Sequence, residues 1–236
     1  MIAAWVNGCL RPRLPRWPCE LCGAAAGQTG ICAPCRADLP WIRGACPGCG
    51  RPWAAGGTCP DCDAAPPPWS RVIAPLAWRF PVDALVTRCK YHGALHLGAL
   101  LGRLLLDACV GRAVDAVLPV PLHPARLVER GFNQAAEVAR PVARGLRLPL
   151  LGRAARRVQA TLPQAGLPEN ERRRNLAGAF VAGPAVAGRR IAIVDDVFTT
   201  GATTRALAAA LLAAGAAGVE VWTVARGGTA QAGRYM

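Results

Sequence analysis

One stretch constrains the fold more than any other: residues 191–204, Ile-Ala-Ile-Val-Asp-Asp-Val-Phe-Thr-Thr-Gly-Ala-Thr-Thr. Its first four residues are apolar and mostly β-branched, the pattern of a strand buried on both faces, as in the middle of a parallel sheet. That strand runs into paired carboxylates, Asp195 and Asp196. A hydroxyl-and-glycine turn follows, Thr199, Thr200, Gly201, Ala202 and Thr203, and a helix is expected from near Ala202 to Leu212. Each part suits a sugar phosphate. The turn offers consecutive backbone N–H groups and threonine hydroxyls, Gly201 can take a positive φ, and the helix start adds free donors and partial positive charge. The carboxylates stand where they could accept hydrogen bonds from ribose or hold Mg²⁺ in an outer shell. The plainer alternative is an ordinary strand–turn–helix with two solvated aspartates.

The fourteen residues resemble the motif with which type I phosphoribosyltransferases bind phosphoribosyl pyrophosphate (PRPP). By that resemblance Asp195 and Asp196 would hold the ribose hydroxyls, and Thr199 to Thr203 would wrap the 5′-phosphate. Hypoxanthine–guanine members carry a catalytic aspartate where Thr199 stands here. A threonine cannot act as that base, so purine salvage of that kind is not expected, and no catalytic residue is assigned.

Cysteine spacing sets the second constraint. Eight of the eleven cysteines form four CxxC pairs: Cys19/Cys22, Cys32/Cys35, Cys46/Cys49 and Cys59/Cys62. The pattern repeats after 27 residues, with nine residues between the pairs of each half. Each half reads as a zinc ribbon in which four thiolates surround one Zn²⁺, giving two structural ions. A single zinc, ligands interleaved between the halves, and disulfides in an oxidising compartment are the competing arrangements. Cys9, Cys89 and Cys109 fall outside the pattern and are expected to be buried or semi-buried thiols. Six of the seven tryptophans lie within the first 78 residues, interleaved with arginines. They suit either stacking on single-stranded bases or the core of a small module. Pro-rich residues 64–69 mark a linker, which divides the chain into a double zinc-ribbon module (1–65) and a parallel-sheet α/β domain (66–236).

Charge and hydropathy narrow the setting. The formal net charge is +14, and all but one of the 28 basic residues are arginine. Such a balance favours polyanionic partners. No apolar run reaches the about 18–20 residues that span a bilayer. Residues 1–11 put no basic region before their apolar residues, unlike a secretory signal, so the expected location is the cytoplasm.

Between linker and phosphate loop the sequence predicts a strand over 71–78 and helices over 82–91 and about 94–110. The lone lysine, Lys90, ends the first helix with His92 and Gly93. A buried strand from Ala116 then meets three prolines, and His123, Arg126 and Arg130 lie at and just beyond them. This segment resembles the pyrophosphate loop of the phosphoribosyltransferases, with Lys90, His123, Arg126 and Arg130 as diphosphate candidates. Residues 153–180 are basic and long for a connection, so they are expected to form a flap. Its candidate contacts are Gln164, Arg172 and Asn175.

Taken together, the CxxC ladder, Lys90-Tyr-His-Gly93, Pro119-Val-Pro-Leu-His123, Arg130-Gly-Phe-Asn-Gln-Ala135 and the PRPP loop resemble the ComF family. Those competence-associated proteins join a zinc module to a type I phosphoribosyltransferase-like domain. The resemblance implies PRPP with Mg²⁺ as ligand, a cytoplasmic part in handling incoming single-stranded DNA during natural transformation, and a competence helicase as a partner. An active transferase with an unknown acceptor is the rival expectation.

Overall fold

The Ile191–Val194 run lies within a longer strand, β6 (Arg190–Phe198), which continues through both aspartates to Phe198. In the computed structural model, which describes residues 17–159 and 178–228, the chain divides into two compact units, Met1–Leu39 and Pro40–Met236.

The first unit holds one cysteine cluster and a short helix, α1 (Ala33–Ala37), that starts on Cys32. The second holds an equivalent short helix, α2 (Pro60–Ala64), starting on Cys59. The units divide after Leu39, between the two ribbons. The reason is packing: the second ribbon bonds directly to the sheet. Val72 N donates to Pro47 O at 2.7 Å, and Ile42 N donates to Pro75 O at 2.8 Å.

The main sheet is parallel. Strands β1 (Arg71–Ile73) and β2 (Leu76–Ala77) pair with β7 (Gly218–Arg226), β7 with β6, and β6 with β3 (Ala116–Pro119). The single strand expected over 71–78 is split at Ala74–Pro75, because proline has no N–H for the ladder. Ile191 to Val194 of β6 and Val221 to Ala225 of the adjacent β7 are buried, with Ile193 opposite Val221 and Val194 opposite Trp222. Such nearly continuous apolar runs are what a two-sided, helix-covered sheet requires.

Helices α3 (Val82–Tyr91) and α4 (Leu95–Cys109) follow β2 and match the expected spans. Leu97, Leu100, Leu101, Leu104 and Leu105 of α4 are buried, as their 3.6-residue stripe predicts. Cys89 and Cys109 are buried thiols, and burial pushes Cys89 up to about 11; Cys9 lies outside the described residues. After β3 come α5 (Pro124–Arg130) and α6 (Gln134–Leu146), then the antiparallel pair β4 (Ala155–Arg157) and β5 (Phe180–Ala182). Helix α7 (Ala202–Ala213) leaves β6 through the Thr199–Gly201 turn.

Candidate functional site

The turn after β6 is shaped by what lies beneath it. Gly201 has φ 75°, the left-handed region, and a Cβ placed there would come 2.6 Å from Cζ of the buried Phe198 ring. Both facts demand glycine. Thr200 Oγ1 lies 3.4 Å from the Ala202 N–H, and Thr204 Oγ1 donates to Gly201 O at 2.9 Å, securing the start of α7. Thr199 and Thr200 are exposed, Thr203 half-buried and Ala202 buried.

The carboxylates differ in surroundings. Asp196 is buried and faces Lys90, whose Nζ lies 2.9 Å from its Oδ2. Burial alone would lower the Lys90 pKa, but the Asp196 carboxylate raises it instead, so the ammonium form is held. Asp195 is half-buried, and its Oδ1 accepts from Asp196 N at 2.9 Å. Desolvation and then the neighbouring Asp196 charge push its carboxyl up to about 7, against the pull of Lys90.

The sequence placed Lys90 with the diphosphate candidates; the fold pairs it with the second aspartate. His123 caps α5, its Nδ1 accepting from Ala125 N at 3.3 Å. Arg126 is exposed and paired with Glu129 at 2.8 Å. Arg130 donates to Gln134 at 2.6 Å and lies 5.3 Å from the centre of the Tyr91 ring, which links the end of α5 to the end of α3. Gln164, Arg172 and Asn175 lie outside the described residues. Sequence reasoning gave no individual role to Arg157, which stacks over Phe180 at 5.6 Å. Burial and then the Arg126 charge lower its pKa, while Asp195 raises it, so it shares the field of the site.

The cysteines form two four-thiol clusters: Cys19, Cys22, Cys32 and Cys35 in one unit, Cys46, Cys49, Cys59 and Cys62 in the other. In each, the four sulfur atoms lie within 4.8 Å of one another. Tetrahedral Zn–S bonds of about 2.3 Å give S···S edges of about 3.8 Å. Cys22 and Cys32 are 3.6 Å apart and Cys49 and Cys59 3.8 Å, so both clusters fit a structural zinc ion. Pairing is within each half, not interleaved. None of the ten described cysteines is in a disulfide. In the second cluster burial raises the Cys46 pKa, but hydrogen bonds from Cys59, Cys49 and Gly48 outweigh it and bring the thiol down to about 7. Arg51 Nε adds a contact to Cys49 Sγ at 3.4 Å.

Residues 10–63 match the family model described as a double zinc ribbon domain. DNA utilization protein YhgH of Escherichia coli strain K12 is 35% identical over 218 residues, covering 89% of this chain and 96% of that protein. Competence protein F of Haemophilus influenzae is 33% identical over 178 residues, covering 71% and 78%. Competence protein ComFC of Bacillus subtilis is 27% identical over 216 residues, covering 83% and 84%. Among solved structures, one titled the allosteric regulatory enzyme of purine biosynthesis aligns with a TM-score of 0.37 and 22% identity. That alignment covers 54% of this chain and only 26% of the enzyme's.

Proposed function

The chain belongs to the ComF family, and from that premise we propose that it binds PRPP with Mg²⁺ at the 195–203 loop and serves DNA handling in natural transformation. The observation that carries the ligand is the junction of β6 and α7. Two carboxylates stand near the end of the buried strand, a left-handed Gly201 follows, and the free N–H groups of a twelve-residue helix begin at once. The 5′-phosphate takes the Thr199–Thr203 turn, and the ribose hydroxyls and Mg²⁺ take Asp195 and Asp196. Lys90, His123, Arg126 and Arg130 serve the pyrophosphate.

The DNA part rests on the names of the relatives and on charge. A DNA utilization protein and two competence proteins share most of their length with this chain, and a net charge of +14 suits a polyanion. Incoming single-stranded DNA in the cytoplasm is the proposed partner, with a competence helicase as a second. Among the described residues no helix is long and apolar enough to cross a membrane.

Whether transfer accompanies binding is decided by incubating the full chain with PRPP, Mg²⁺ and a panel of nucleobases while following pyrophosphate. Binding without release supports a ligand-binding adaptor. Base-dependent release makes the protein a phosphoribosyltransferase. No binding ends both readings.

A further inference from the structure

Arg226, the last residue of β7, is 6% exposed, and its hydrogen bonds go to main-chain carbonyls. Nε donates to Cys49 O at 2.7 Å, and Nη1 donates to Phe198 O at 3.1 Å and to Gly227 O. The guanidinium also lies 5.2 Å from the centre of the Phe198 ring. One buried cation therefore holds two places far apart in sequence: the second cysteine knuckle and the residue that opens the phosphate turn.

A second tie runs beside it. Trp69 Nε1 donates to Gly48 O at 2.8 Å, inside the same knuckle, and the Trp69 ring meets Phe198 edge-on at 5.8 Å. Arg205, in the first turn of α7, covers the Trp69 ring at 5.3 Å. Both ties end on Phe198, the ring that fills the space under Gly201. The knuckle itself is fitted to the sheet: Gly50 has φ 67°, and a Cβ there would come 2.9 Å from Val72. Four thiolates around one Zn²⁺ carry a net charge of about −2, which supplies the counter-charge that the Arg226 acceptors lack.

We propose that the second cysteine cluster is part of the scaffold of the 198–203 loop, with Arg226 as the positioning residue that transmits its metal state. This rests on the reading of that loop as a phosphate site. With metal held, the Cys49 carbonyl and the charged cluster fix Arg226, which fixes Phe198 and the turn above it. With metal lost, the knuckle relaxes and the turn loses its support. By linkage, a ligand on the turn must then strengthen metal retention at that cluster by the same factor.

The test uses the zinc-loaded full chain. Zinc release to a chromogenic chelator is followed with and without saturating PRPP–Mg²⁺, and amide hydrogen exchange at 199–204 is followed before and after release, without ligand. Expected are a slowing of one zinc phase by about tenfold and faster exchange at 199–204 once that zinc is gone. Arg226→Met should still load zinc yet lose the slowing; Trp69→Phe, which keeps an aromatic ring but drops the bond to Gly48, should reduce it. A merely structural arginine would lower stability and leave the slowing in place. Unchanged release in protein that binds PRPP overturns the proposal, as does full slowing in Arg226→Met. If wild-type protein binds no PRPP, the ligand reading fails, and the exchange measurement decides the coupling alone: unchanged exchange after zinc loss overturns it.

Discussion

Lys90 Nζ lies 2.9 Å from Asp196 Oδ2, an ion pair between the end of α3 and the strand that leads into the Thr199–Gly201 turn. The side chains are 21% and 6% exposed, and among the described residues that oxygen accepts no other hydrogen bond. Removing the lysine leaves a carboxylate buried without a partner, which in a fully buried pair costs about 3–5 kcal/mol. Partial access of water to Lys90 reduces this, so Lys90→Met should lower unfolding free energy by about 2 kcal/mol. Lys90→Met with Asp196→Asn should recover much of the loss. Urea unfolding of wild type, Lys90→Met, Asp196→Asn and the double variant checks this, and a double variant as unstable as the sum of the singles would show that the groups do not interact.

Asp195 gives a pH signature. Its folded-state pKa is about 7, above the ordinary 3.8. Between those values the folded protein binds more proton than the unfolded chain, so this group makes stability fall as pH rises from about 4 to about 7, and level off above. Asp195→Asn should flatten that part of the profile. Equal slopes in wild type and variant over this window would show that Asp195 is not the titrating group.

The local parts of this fold were legible because local rules decide them. The spans of α3, α4 and α7, the buried centre of β6 and the two-fold cysteine repeat follow from hydrophobic period, capping and ligand spacing. Lys90 stood out as the lone lysine, but its partner far along the chain did not, because a pairing between distant elements leaves no periodic trace. The two cysteine halves read alike, and it takes the tertiary contacts of Pro47, Gly48, Gly50 and Cys49 with Val72, Trp69 and Arg226 to show the second fused to the sheet. Arg226 itself looked like one arginine among many.

Metal content separates the clusters. Purified protein should hold two zinc ions, and Cys22→Ser and Cys62→Ser should each lose one. Structural zinc binding contributes directly to folding, so both variants should melt below wild type. Elemental analysis gives the count; a single ion in wild type would confine the metal to one half.

Binding of single-stranded DNA should show weak sequence preference and steep salt dependence, because contacts to phosphate release counterions. Affinity measured by anisotropy at rising salt checks it. Affinity that stays level from low to moderate salt would contradict an interaction driven by the +14 charge.

The most direct measurement is calorimetric titration of PRPP–Mg²⁺ into wild type, Gly201→Val and the Asp195→Ala, Asp196→Ala double variant, each first shown to be folded. Valine at φ 75° is strained, and its Cβ would press on Phe198. Loss of each charged acceptor removes about 1.5–3 kcal/mol, or about tenfold or more in affinity. The predicted result is binding by wild type and at least about tenfold weaker binding by both variants. No binding by wild type at millimolar PRPP, or undiminished binding by both variants, would contradict the account.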